Sequence, residues 1–146
     1  MEKRNTISEV MLRHHCRIEE LLNIFRENIC HNFELMSVSF EKLKGELEKH
    51  IFTEEKAVFK FCNPINKEVS AIMLNMIKEH DIILEMLNTI KNDLAIKDNL
   101  DVSNFQELLL RHKNFEDEIL YPELDNKLNK TQKRLIIEKI NKIYLS

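Results

Sequence analysis

Four histidines and two glutamates in this 146-residue chain have types and spacings suited to metal chemistry. They are His15, His50 with Glu54 four residues on, His80, and His112 with Glu116 four residues on. Residues four apart on a helix share a face, so each His-x-x-x-Glu pair presents an imidazole and a carboxylate in one direction. The histidines fill gaps in otherwise apolar stripes: His15 between Met11 and Ile18, His50 three after Leu47, His80 between Met76 and Ile83, His112 three after Leu109. Six inward polar groups left unpaired, at about 1–3 kcal/mol each, would cost on the order of 10 kcal/mol, the scale of a domain's whole stability. Bound cations remove that cost. Nitrogen and carboxylate donors without thiolate favour iron, manganese or zinc, and six donors exceed what one tetrahedral zinc takes. The set predicts two ions about 3.5–4 Å apart, bridged by the two carboxylates and an oxygen. With both ions octahedral, two positions stay open to a small exogenous molecule.

The elements that must carry these residues read as helices. The spacing predicts four long ones, at about 7–29, 39–61, 64–92 and 102–125, and a short fifth at about 131–144. Their stripes are Ile7, Met11, Ile18, Leu22, Phe25 and Ile29; Phe40, Leu43, Leu47, Ala57 and Phe61; Val69, Met73, Met76, Ile83, Leu87 and Ile90; Phe105, Leu109 and Ile119; and Leu135, Ile136, Ile140 and Ile143. Thr6 to Glu9 and Ser103 to Gln106 have the pattern of capping boxes, Ser39 and Thr131 suit helix starts, and Asn63-Pro64 suits a cap followed by proline at the first helical position. The fold class expected is all-α, an antiparallel up-down four-helix bundle with a short additional C-terminal helix, as a single domain over residues 1–146. Level residues in an antiparallel hairpin are equidistant from its turn, and the midpoints between successive histidines, 32.5, 65 and 96, all fall on expected connections. The halves also echo one another: His15 to Leu22 matches His80 to Leu87, and His50 to Glu55 matches His112 to Asp117, continuing into Val58-Phe59 and Leu120-Tyr121.

The ordered series His15, His50-x-x-x-Glu54, His80, His112-x-x-x-Glu116, with the context HHCRIEELL, HIFTEEKAVF, EHDIILEML and HKNFEDEILYPELD, resembles the hemerythrin-like (HHE cation-binding) family over roughly residues 7 to 126. That resemblance implies a non-haem di-iron centre inside a four-helix bundle. The cofactor expected is two iron ions, with manganese or zinc as alternatives, bridged by the glutamates and an oxo or hydroxo group. Oxygen-carrying relatives have a fifth histidine four residues from the third. Here Leu84 follows His80 by four and Met76 precedes it by four. The set is similar instead to the four-His, two-Glu centres of iron–sulfur repair proteins, whose extra N-terminal cysteine-bearing domain has no room before a helix starting near residue 7. The function expected is binding or reduction of O2, NO or a peroxide, in stress response, sensing or iron–sulfur centre repair. The alternative is an iron-responsive interaction module without turnover, with residues 131–146 as its docking surface.

Composition narrows the rest. One glycine, Gly45, excludes phosphate-binding glycine loops and argues against an all-β fold. A net charge of −3 with no basic block argues against nucleic acid as a partner. No apolar run approaches ~18 residues, which argues against a membrane span, and the N-terminus lacks a secretory apolar segment. Cys16, Cys30 and Cys62 have no C-x-x-C spacing and read as free thiols of a cytoplasmic protein. Among neighbours of the six, His14 reads as a boundary residue, Glu46 as a competitor carboxylate off the stripe, His31 as a turn residue, Tyr121 as core, and Met11, Met73 and Met76 as packing.

Overall fold

Helix α1 (Ile7–Asn28) starts where side chains take up its free amides. Thr6 accepts from the Glu9 amide (3.1 Å) and its hydroxyl donates to Glu9 Oε1 (2.7 Å), as the capping pattern predicts. The Asp125 carboxylate adds a second clamp, accepting from the amides of Ile7 (2.8 Å) and Ser8 (3.1 Å). The computed structural model describes residues 6–29, 31–62, 67–96 and 100–145. They form α1, α2 (33–62), α3 (Lys67–Leu94), α4 (103–127) and α5 (Lys130–Leu145), and no strand occurs among them. Helix α1 packs on α2, α2 on α3, α3 on α4 and α4 back on α1, while α5 lies against α1 and α2. No described helix is long and apolar enough to cross a membrane.

Several helix starts differ from expectation. Helix α2 begins at Phe33, six residues before Ser39, because Asn32 caps it by accepting from the Leu35 amide (3.0 Å). Ser39 sits inside the helix and donates its hydroxyl to the Met36 carbonyl (3.0 Å), a bond that satisfies serine without ending the helix. At α4, Ser103 is the first helical residue and not the cap. Asp101 accepts from both its amide (2.9 Å) and its hydroxyl (2.6 Å). At α5, Asn129 and Gln132 cap each other's amides (2.8 and 2.9 Å), and Thr131 does not serve. Asn63-Pro64, Lys97 to Asn99 and Cys30 lie outside the described residues.

Helices α2 and α4 are not α-helical throughout. Glu54–Phe59 and Glu116–Leu120 are π-helical, each opening at a glutamate. The Lys60 amide reaches back to the Glu55 carbonyl, and Tyr121 to Glu116, five residues apart. One extra residue in the turn shifts side chains beyond it by about one position. Phe61 and Ile119, expected inward, are therefore 49% and 48% exposed, while Cys62, Leu120 and Tyr121 are buried. On α5, Leu135 also faces outward, and Ile136, Ile137 and Ile140 make the contact.

The buried apolar residues fall into two clusters. One gathers Ile7, Met11, Met73, Met76 and Leu124 with Ile136 and Ile140 of α5. The other gathers Ile18, Phe25, Phe40, Leu47, Leu87 and Phe105. Burial of two such clusters supplies the main drive to fold. Gly45 is exposed in mid-α2, and a Cβ added there meets nothing within 4 Å. Gly45→Ala is expected to raise stability by about 0.5–1 kcal/mol through helix propensity alone, read as a higher urea midpoint.

Candidate metal centre

Between the apolar clusters lies a polar layer. His15, His50, Glu54, His80, His112 and Glu116 are each at most 5% exposed. One donor atom from each of Glu54, His80, His112 and Glu116 lies within 4.8 Å of the others, and His15, His50 and Glu116 form a second such group. Glu116 belongs to both. It stands 3.2 Å from His15 Nε2 and 3.1 Å from His112 Nε2, while Glu54 stands 3.0 Å from His80 Nε2. His15 Nε2 and His50 Nε2 are 3.1 Å apart.

Carboxylates behind the rings set their orientation. His15 donates from Nδ1 to Asp117 (2.8 Å), His80 to Glu55 (2.6 Å) and His112 to Glu79 (2.6 Å). A carboxylate accepts only, so the proton of each neutral ring sits on Nδ1 and the Nε2 lone pair is free. Metal-ligating histidines are oriented in this way. The sequence reading did not single out Glu55, Glu79 or Asp117 for this role. Their signal was adjacency: an acid follows Glu54 and Glu116, and one precedes His80.

Tyr121, read from sequence as core, is buried but does more than fill space. Its hydroxyl donates to Glu54 Oε2 and lies 3.1 Å from Glu116 Oε1. In a regular α-helix residues five apart are rotated by about 140°. The π turn brings Glu116 and Tyr121 to one face. Burial, and then the charges of Glu116 and Glu54, hold the phenol well above its ordinary pKa, so it stays a donor.

Whether a cation fits is decided by the inner atoms. His80 Nε2, His112 Nε2, Glu54 Oε1 and Glu116 Oε2 are buried and make no hydrogen bond, although they lie 3.0–3.1 Å from one another in pairs. They are the same four side chains that form the larger donor group. Orphaned lone pairs at this density are costly unless a cation accepts them, and nitrogen and carboxylate oxygen donors suit iron, manganese or zinc. The rings of all four histidines border a cavity of about 20 Å³, walled by Ile18, Leu22, Leu47 and Ile83, while neither Glu54 nor Glu116 borders it. That space holds about one water-sized molecule.

The remaining candidates lie elsewhere. Glu46 is beside Tyr144 and outside both donor groups. His14 stacks on Tyr144 (ring centroids 3.8 Å apart) and meets His50 edge-on at 5.9 Å. His31 is exposed in the first turn. Met11, Met73 and Met76 are packed in the apolar cluster that includes α5. Cys16 and Cys62 are free thiols, and burial pushes the Cys62 thiol up to about 12, which leaves it inert.

Residues 6–124 match the family described as hemerythrin HHE cation-binding domain. No curated protein and no solved structure matches the chain.

Without metal, protons hold the layer together. Burial opposes charge on His15, but Asp117 and Glu116 outweigh it and lift the ring to about 9. Burial likewise opposes charge on His80, and Glu116, Glu54 and Glu55 lift it to about 11. Both folded values lie above the unfolded 6.5, so this stabilisation is complete below pH 6.5 and is lost as pH rises through 9 and then 11. The urea midpoint of the metal-free chain is therefore expected to fall between pH 7 and 9, and a flat midpoint over that range would contradict this account. Below pH 6.5 the buried groups act in opposite senses: His50, held well below its ordinary pKa by burial and the His15 charge, and His14, lowered to about 4 by burial, remove stability as pH drops, while Glu54, raised to about 7 by burial and the Glu116 charge, returns some.

Proposed function

The chain belongs to the hemerythrin HHE cation-binding domain family, and from that premise we propose a non-haem di-iron-binding protein whose open coordination positions bind or reduce O2, NO or a peroxide. The observation that carries this reading is the convergence of six buried donors, five of them with an atom that has no hydrogen-bond partner. In this reading His80, His112 and Glu54 hold one iron ion, His15 and His50 hold the other, and Glu116 serves both. Manganese or zinc suits the same donors. These residues would hold a pair of ions that share Glu116, within an antiparallel up-down four-helix bundle to which α5 is added.

Bound iron supplies reversible one-electron oxidation and a place for the exogenous molecule. The chain's own residues do the rest. Glu55, Glu79 and Asp117 keep the Nε2 lone pairs of three rings turned inward. Tyr121 keeps a proton at the carboxylate face, on its hydroxyl beside Glu54 Oε2. Ile18, Leu22, Leu47 and Ile83 give the imidazole face an apolar pocket of about 20 Å³, which favours a small uncharged molecule over a solvated anion. Stress response, sensing and iron–sulfur centre repair are the roles such a site serves, in a cytoplasmic setting that the free thiols support.

A second reading, an iron-responsive interaction module without turnover, is favoured by one feature. Helix α5 touches the layer's surroundings through the Tyr144 ring stacked on His14, which links metal occupancy to an outer helix. Optical spectra of the reduced, iron-loaded chain before and after O2 and NO separate the two readings. A spectral response supports the first. A sharp folding transition on iron loading without any such response supports the second. About two iron ions per chain are expected, and iron well below one per chain overturns both. His112→Ala is expected to lower iron content and thermal stability together.

A further inference from the structure

The two donor groups are not equal. The structure repeats His15 as His80, His50 as His112, Glu54 as Glu116 and Glu55 as Asp117, so each half predicts the other. On that correspondence the residue before each first histidine should also match. In one half it is Glu79, which receives the His112 Nδ1 proton at 2.6 Å. In the other it is His14, whose ring meets His50 edge-on at 5.9 Å, and His50 Nδ1 is buried with no hydrogen-bond partner. One ion position therefore has two carboxylates and two carboxylate-backed imidazoles. Among the described residues the other has three donors, shares its one carboxylate, and includes one imidazole with no carboxylate behind it.

We propose that the centre fills in order, with a tight ion at His80, His112, Glu54 and Glu116 and a weaker, exchangeable one at His15 and His50, and that His14 sets the difference. This rests on the di-iron reading above. A carboxylate behind a ligand imidazole fixes its ring and raises its basicity, and losing it costs about 10–100-fold in metal affinity. The second position carries that deficit natively. Its donors also bring less negative charge to a divalent cation, since Glu116 is already engaged by the first. His14 is a positioning residue here, acting through His50.

Anaerobic calorimetric titration of the metal-free full chain with Co(II) tests this. Two steps separated by about tenfold or more are expected. His14→Glu restores the missing carboxylate and should strengthen the second step while leaving the first. Glu79→Gln should weaken the first step and narrow the gap from the other side. Anomalous scattering from crystals grown with one equivalent of Co(II) should place the ion between His80 and His112, and this arm decides the matter should His14→Glu fail to fold. Two ions binding with one affinity, a second step unmoved in a folded His14→Glu chain, or a first ion found at His15 and His50 each overturn the inference while leaving the di-iron reading intact. Absence of any Co(II) binding overturns that reading and the inference with it.

Discussion

Lone pairs withdrawn from water have to be given a partner, and here six side chains are withdrawn together. His15, His50, Glu54, His80, His112 and Glu116 sit between two apolar clusters that bar solvent from either side. Hydrogen bonding among the six does not settle the account, since several of their inner atoms lie 3.0–3.1 Å from one another without making a hydrogen bond. A carboxylate turned away from the layer could be solvated at modest cost, but one at 0% exposure cannot. The rest of the architecture follows from serving that layer: acids behind three rings, a phenol against the carboxylates, and helices whose turns are adjusted where the glutamates enter.

Those adjusted turns mark the boundary between what could and could not be read from the residues alone. Up to Glu54 and Glu116 the helical period holds, so the inward placement of the six candidate donors was legible from type and spacing. Beyond them a period of 3.6 misplaces some residues by one, which is why Phe61 and Ile119 looked buried and Leu120 did not, while Ala57 and Tyr121 stay inward as read. Nothing in a stripe of apolar residues announces an i-to-i+5 turn. The orienting acids were hidden for a different reason. Asp117 serves a histidine 102 residues away and Glu55 one that is 25 away, and such pairings exist only once helices have been packed. Helix starts were legible where the cap was local and unambiguous, as at Thr6. They were misread where a serine had a better-placed competitor, as at Ser39 beside Asn32.

The layer has two chemically different faces. Toward Tyr121 it is carboxylate and phenol, and protons there are held tightly. Toward Ile18 and Leu47 it is ring edges against hydrocarbon, with space for one small molecule. An incoming uncharged molecule meets a face whose accessible lining is mostly hydrocarbon, from Ile18, Leu22, Leu47 and Ile83. The pseudo-two-fold repeat is broken on the first face by a single oxygen atom: Phe59 stacks on His80 where its counterpart Tyr121 lies against His15 and carries the hydroxyl.

The orienting acids are also traded across the repeat. His15, in the first half, is set by Asp117 of the second, and His80, in the second, is set by Glu55 of the first. Neither hairpin is self-sufficient: each lends an acid to its neighbour and borrows one back. The layer is therefore complete only where the two halves meet, and any motion that parts them unlatches both borrowed imidazoles at the same moment.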